Sequence, residues 1–456
     1  VKPDEVQKKG GNSAMKGKKT SGSHDQGKKH KSMSRREFLR RTGYTAMAAG
    51  ISSSLPRILK RAQAAVKDHV LVGRPLPVTG PVAAFSEPAQ WLNSRAVAEM
   101  NKDGGFYIKE AGKKLPVEVK IVDTESNPTK AGDLAAKLIL NDNVDLMYTS
   151  NTPATVNPVS AICERSKVPC IGTNNPPEMW LIGGPYHWSF VASVSVRDFA
   201  AAFLQAWAQV DTNKIVALCA ENDPDGVAWA ESSKEFLGKA GYRVIDLGRF
   251  PAGTNDYSTQ ISGWKGKKVE ILFANMAPPD FAILWRQCYS SGFVPKICTV
   301  GRGVVFPAAV QAIGSNLGIG TSCEIGWHPL FPFKSSLGGY SARKLADDWE
   351  ASTGKQWTGA LGPLYSGYEI VADVLRRAQT LDKEALRKAM VETSLNTIVG
   401  HVKFNKDNVA VLPSGAQQWQ KGKKWPVDAI LVANGNYKIL PVEGKLISIP
   451  ELRKGN

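Results

Sequence analysis

Strand-like and helix-like segments alternate along most of this chain, and that alternation restricts the fold more than any single motif does. His69–Gly73 is a short extended run that ends in the turn-rich Arg74-Pro75-Leu76-Pro77-Val78-Thr79-Gly80-Pro81. A helix is predicted over Glu87–Asn101, with Trp91, Leu92, Val97, Ala98 and Met100 on its apolar face. Asp103-Gly104-Gly105 stops it. Val117–Asp123 alternates as a strand, and Asn127-Pro128-Thr129 opens a second helix with proline near its first turn. A strand at Val144–Tyr148, a helix at Asn157–Lys167 and a strand at Val168–Ile171 follow. This order predicts an α/β fold, a parallel sheet with helices on both faces. In such sheets ligands sit beyond the carboxyl ends of the strands. The loops there are Thr79–Ser86, Ser150–Thr155 and Thr173–Trp180.

The pattern then restarts. Helices are predicted at Asp198–Val210, Val227–Ala240 and Pro279–Ser291, and Gly253–Ser262 enters another. Strands alternate with them at Lys214–Ala220, Tyr242–Arg249, Val269–Asn275 and Lys296–Val300. The strand-end loops of this half are Glu221–Gly226, Asn275–Asp280 and Gly301–Val305. Two similar α/β lobes predict a hinged clam with a ligand in its cleft. The expected division is residues 66–190 with about 325–400 for the first lobe, and 191–324 with about 401–456 for the second. The C-terminal part adds helices at Ser341–Gly354, Tyr365–Thr380 and Lys383–Val391, then strands at His401–Phe404 and Ala429–Val432. Asn434-Gly435 is a hairpin signal between two such strands.

The formal charge of +17 is unevenly placed. Residues 1–64 hold 16 of the 58 Lys and Arg and 4 of the 41 Asp and Glu, which leaves the remaining 392 residues at +5. No basic stripe with interleaved aromatics occurs in that remainder, which argues against nucleic acid as a partner. Residues 1–33 are rich in Lys, Gly and Ser and are expected to be disordered, or to lie ahead of a start at Met33. Residues 34–64 read as a signal peptide: a charged segment, a short apolar run from Tyr44 to Leu55, and Ala62-Gln63-Ala64 as a cleavage site. Ser34-Arg35-Arg36-Glu37-Phe38-Leu39-Arg40 resembles the twin-arginine export signal, with Arg35 and Arg36 as the pair. The expected location is therefore the periplasm or another extracytoplasmic space, with the twin-arginine translocase as a transient partner.

Six cysteines in an oxidising space leave two options: a bridge within Cys163/Cys170 or Cys288/Cys298, or buried apolar thiols. Neither pair has C-x-x-C or zinc-ligand spacing, and the six histidines are scattered, so no metal and no cofactor is expected. The chain has no G-x-S-x-G, H-E-x-x-H, P-loop or G-x-G-x-x-G, and no enzymatic activity is expected.

Several stretches carry a resemblance. Pro77-Val78-Thr79-Gly80-Pro81 is similar to a P-L-T-G-P opening turn, and Met100-Asn101-Lys102-Asp103-Gly104-Gly105 to an I-N-x-x-G-G helix end. Asp123 to Pro128 is similar to a D-x-x-x-x-P strand exit, and Gly253-Thr254-Asn255-Asp256-Tyr257-Ser258 to a G-x-x-D-F/Y-S step. Tyr368-Glu369 and Val402-x-Phe404 match late positions. Over residues 68–440 the chain resembles the type I periplasmic solute-binding proteins of ATP-binding-cassette importers, of the leucine/isoleucine/valine-binding type. The resemblance implies two Rossmann-like lobes joined by three crossovers, capture of a small solute without catalysis, and docking on a membrane permease. A ligand-sensing module for a membrane receptor would share the same fold.

The resemblance also implies site residues. Ser150, Asn151 and Thr152, with Thr173, Asn174 and Asn175, fall in the loops that hold a ligand carboxylate through hydroxyls and backbone N–H groups. Ser150, Thr152 and Asn175 could instead, or also, cap the helices that follow. Phe85 and Ser86, and Asn275 and Met276, fall in loops that contact ligand side chains. At two positions this chain departs from amino-acid-binding members. Arg302 stands where an acid pairs with the ligand ammonium, and Asp225 stands before Gly226 where an aromatic is usual. A free arginine repels an ammonium and grips a carboxylate, which points to an organic anion, an aromatic or branched carboxylate. A branched-chain or other hydrophobic amino acid is the alternative. Arg302 could instead pair with Asp225 or Asp280. Of the 12 tryptophans, Trp180, Trp188, Trp229, Trp285 and Trp327 could supply an apolar wall; of these and the rest, Trp91 and Trp285 are expected in the core, and Trp180 and Trp327 at the cleft.

Overall fold

The computed structural model describes residues 67–314 and 316–454. The signal segment with Arg35, Arg36 and the cleavage site lies outside the described residues.

Each strand of the first half delivers the chain to one edge of a parallel sheet. The strands are β1 (Val70–Leu76), β2 (Val117–Asp123), β3 (Leu146–Ser150), β4 (Cys170–Thr173) and β5 (Ser189–Ser193). β1 pairs with β2 from Val70↔Val117 to Leu76↔Asp123, so both end at the same level. The return helices are α1 (Ala89–Asn101), α2 (Pro128–Leu140) and α3 (Pro153–Ser166). α2 starts where Asn127 caps it, its side chain accepting from the Lys130 N–H at 3.0 Å, with Pro128 in the first turn.

The second half repeats the arrangement. Its strands are β6 (Ile215–Glu221), β7 (Arg243–Phe250), β8 (Ile271–Asn275), β9 (Ile297–Gly301) and β10 (Thr321–Ile325). The chain then returns through a helix at Leu361–Ala378 and a short strand β11 (Val409–Val411), and ends with β12 (Gly415–Lys421) and β13 (Val427–Ala433). The first sheet has the order β11-β5-β4-β3-β1-β2, and the second β13-β12-β10-β9-β8-β6-β7. The chain passes between the sheets after β5, after β10 and after β11. This is the type I periplasmic binding protein fold, with three crossovers between a parallel first sheet and a second sheet that is parallel except for β12 and β13 at one edge.

Three details differ from the sequence expectation. β11, inside the segment expected in the second lobe, pairs with β5 of the first sheet through Val409↔Val191. Asn434-Gly435 follows β13 but leads into turns rather than a further strand; β13 pairs instead with β12, a Gln-rich strand without an apolar pattern. Several strands also start about two residues late: β3 begins at Leu146 and β4 at Cys170.

The cores are aromatic. In the second lobe Phe273 on β8 is ringed by Phe203, Trp207, Trp229 and Phe236, with centroids 4.1–6.1 Å apart. Such edge and tilted pairs add about 0.5–1.5 kcal/mol each beyond the area they bury. In the first lobe Arg74 on β1 is buried between the rings of Tyr148 and Tyr368, each centroid 4.4 Å from its guanidinium carbon. All six cysteines are buried and unbridged. That agrees with the thiol option.

Candidate functional site

The carboxyl ends of both sheets face one cavity of about 80 Å³. From the first lobe its wall includes Phe85, Thr152 and Asn174; from the second, Asp225, Trp229, Asn275, Arg302 and Glu324. Phe85 meets Phe306 of the other lobe edge to face, with centroids 4.6 Å apart, so aromatic rings close the cleft from both sides.

The first-lobe wall is uncharged and built from amides and hydroxyls. Beyond β3 the backbone turns through Asn151 at φ 73° and Thr152 at φ 67°, and beyond β4 through Asn174 at φ 56°. For a β-branched residue such as Thr152 this region is an outlier, and backbone strain of this kind collects at binding sites. Asn151 holds the turn together. Its Nδ2 donates to the Phe85 carbonyl at 3.1 Å and to Ser86 Oγ at 3.0 Å, and its Oδ1 accepts from Asn174 Nδ2 at 3.0 Å. Thr152 stands at the N-cap position of α3 without a side-chain cap hydrogen bond, and this brings the positive end of that helix to the cavity. Thr152 Oγ1 and Ser193 Oγ, both in the cavity wall, have no protein partner.

The second-lobe wall is charged. Arg302, at φ 62° just past β9, is 7% exposed. Its Nη1 meets Asp223 Oδ2 at 2.8 Å, its Nη2 Glu221 Oε2 at 3.2 Å, and its Nε Asp225 Oδ2 at 2.9 Å. Nε also donates to Asn275 Oδ1 at 2.6 Å. Burial alone would lower the Arg302 pKa, but Asp225, Asp223 and Glu221 together raise it, so its charge is fixed. Glu221 Oε1 accepts from the Ala277 N–H at 2.8 Å, yet burial outweighs the pull of Arg302 and lifts its pKa to about 7. Asp223 caps helix α4 (Pro224–Lys239) by accepting from the Gly226 N–H at 2.7 Å. Glu324 near the end of β10 accepts from the Arg302 N–H at 3.2 Å through Oε1, while its Oε2 has no partner. Burial lifts Glu324 to about 7 as well.

Of the sequence-predicted residues, the structure brings Phe85, Thr152, Asn174, Asp225, Asn275 and Arg302 together in the cavity wall. The others stand behind it. Ser150 bonds to Asn151, Thr173 lies 3.4 Å from the Tyr148 hydroxyl, and Asn175 donates to Asn157 at 2.9 Å. Ser86 supports Asn151, and Met276 is fully buried below its loop. Trp180 is not in the cleft. It stacks on Tyr186 at 4.1 Å and donates to Ser160, because the turn after β4 tucks it against α3. Trp327 is likewise fully buried, against Trp357. Trp285 is core, as expected, donating to the Leu317 carbonyl. Arg302 does pair with Asp225, but not with Asp280, which accepts from the Gly253 N–H.

Sequence reasoning missed Ser193 and Glu324, and offered Trp229 only as one of five tryptophans for an apolar wall. Ser193 ends β5, so the strand-end rule could have found it. Trp229 sits four residues after Asp225 on one face of α4 and supplies the aromatic absent at position 225. Glu324 lies on a strand that no periodicity revealed.

The comparisons with known proteins agree with this fold. The family model described as "Periplasmic binding protein" matches residues 70–424. The Leu/Ile/Val-binding protein BraC3 of Rhizobium johnstonii is 23% identical over 360 residues, 78% of this chain and 92% of that protein. The leucine-binding protein LivK of Thermotoga maritima superposes with a TM-score of 0.68 at 20% identity, covering 80% of this chain and 99% of that one. An ABC-transporter solute-binding protein of Rhodopseudomonas palustris, crystallised with 3,4-dihydroxybenzoic acid, gives 0.63 at 17%, with coverages of 84% and 99%. The chain belongs to the periplasmic binding protein family.

Proposed function

We propose that this protein is the extracytoplasmic substrate-binding component of an ABC importer. It captures a small carboxylate-bearing solute with an apolar body between its lobes and hands it to a membrane permease without catalysis. The observation that carries the ligand class is the pair of unpartnered hydroxyls, Thr152 Oγ1 and Ser193 Oγ, in a cavity wall otherwise rich in aromatic and aliphatic side chains. Hydroxyls and a helix N-terminus receive a carboxylate without a buried cation. Arg302 does not have to do so, because three carboxylates already surround it. The relatives point the same way, since their names and ligands are amino acids or an aromatic acid. The division into lobes at the three crossovers allows opening and closing as rigid halves, with the Phe85–Phe306 contact broken on opening.

The test is a thermal-shift panel on solute-stripped protein with leucine, phenylalanine, benzoate and branched aliphatic carboxylates. A ligand at 100 times its Kd adds about 2.7 kcal/mol. If none of the panel raises Tm, the carboxylate reading is wrong. Export by the twin-arginine route belongs to the same proposal. Mature protein still delivered after Arg35 and Arg36 are both changed to Lys would remove it.

A further inference from the structure

The second-lobe wall carries more acid than its one cation can use. Arg302 spends its guanidinium on Asp223, Glu221, Asp225 and Asn275. Glu324 accepts from the Arg302 backbone N–H through Oε1. Among the described residues, Glu324 Oε2 is the only carboxylate oxygen that is buried without a hydrogen-bond partner, and Glu324 lies in the cavity wall. The other two unpartnered polar atoms of that wall, on Thr152 and Ser193, are hydroxyls that can donate to an anion. Glu324 has the opposite requirement. An unmatched buried carboxylate oxygen is costly, and a donor, above all a charged one, relieves it.

We propose that Glu324 is the specificity-determining residue of the second lobe, reading a protonated nitrogen on the ligand, and that Arg302 positions it rather than gripping the ligand. This rests on the solute-binding function proposed above. The acid expected just past β9 is thus supplied from the neighbouring strand β10, and the arginine in its place organises the wall. The charged groups facing Glu324 are Arg302 and Asp225, with Asp223 and Glu221 behind the guanidinium. Burial holds Glu324 up to about 7, so a ligand ammonium that pairs with it also draws off its proton.

Three matched probe series separate the possibilities on the full chain by calorimetry: leucine and phenylalanine; 4-methylpentanoate and 3-phenylpropanoate, which lack the amine; isopentylamine and phenethylamine, which lack the carboxylate. The expected result is that amine-bearing probes bind, that their amine-free counterparts bind at least tenfold more weakly, and that Glu324→Gln weakens the amine-bearing probes at least tenfold without affecting the others. Gln matches the protonated acid in shape and retains an acceptor for the Arg302 N–H. If that variant fails to fold, the wild-type contrast between the first two series decides alone. Equal binding with and without the amine overturns the proposal, as does an unchanged affinity in Glu324→Gln. Binding confined to the amines sinks the carboxylate reading of the preceding section and leaves Glu324 its role. Silence in all three series overturns both.

Discussion

Among the described residues each lobe buries one arginine, and the two are satisfied in opposite ways. Arg74 in the first lobe has no carboxylate near it; it lies between two tyrosine faces, with Nε and Nη1 unpartnered. Arg302 in the second lobe has three carboxylates and an amide oxygen. Desolvation lowers the pKa of Arg74, whereas the carboxylates raise that of Arg302. The contrast extends to the two walls of the cleft. The first-lobe wall offers uncharged donors on strained turns, and the second offers a charge network that its own arginine cannot exhaust. A buried cation is therefore no guide to ligand charge until its own partners are known.

The sharpest way to break the comparison is to remove each arginine. Arg302→Met leaves Glu221, Asp223 and Asp225 without their cation and should cost about 3–5 kcal/mol in urea unfolding. A loss below about 1 kcal/mol would mean that those acids do not depend on it.

The second effect is on pH. Glu221, Glu324 and Glu369 are held up near 7 by burial, against a usual value of 4.5. Between those values the folded chain binds more protons than the unfolded one, so their contribution to stability is full below about 4.5 and lost as pH rises to 7. His328, pushed down to about 4 by burial, works the other way. Three groups outweigh one, so the Tm of the solute-free protein should fall between pH 5.5 and 8, and Glu324→Gln should flatten the slope. A Tm that rises over that interval would contradict the burial of these acids.

A smaller effect tests the first-lobe wall. Thr152→Gly relieves a φ of 67°. Strain there is about 1–3 kcal/mol, and glycine's extra unfolded freedom returns about 0.5–1 of it. The variant should be about 1 kcal/mol more stable in thermal melts, while solute binding weakens about tenfold through the lost hydroxyl. Weaker binding with no gain in stability would place the strain elsewhere.

Arg74→Met should do least. Two cation–π contacts vanish, but so does an uncompensated buried charge, and the change should stay within about 1 kcal/mol. A loss as large as that of Arg302→Met would erase the distinction between the lobes.

The sequence alone sufficed for the architecture. Alternating strand and helix periods, the Asn127-Pro128 start of α2 and the glycine stop after α1 are local signals, and each came out within a few residues. It also located the loops of the cavity, because parallel strands expose their carboxyl ends on one edge. Packing between elements sets which residues in those loops reach the cavity. Trp180 and Asp225 look equally available in sequence, yet one tucks against α3 and the other lies in the wall. It also decided the charge of the site. Arg302 reads as a free cation until β6 and α4 bring Glu221, Asp223 and Asp225 to it across some eighty residues. Glu324 stayed hidden for the same reason: a site residue on a central strand is defined by the neighbours that its sheet supplies. Periodicity reports which side of an element is buried, whereas electrostatics depends on distances between elements, and only folding sets those.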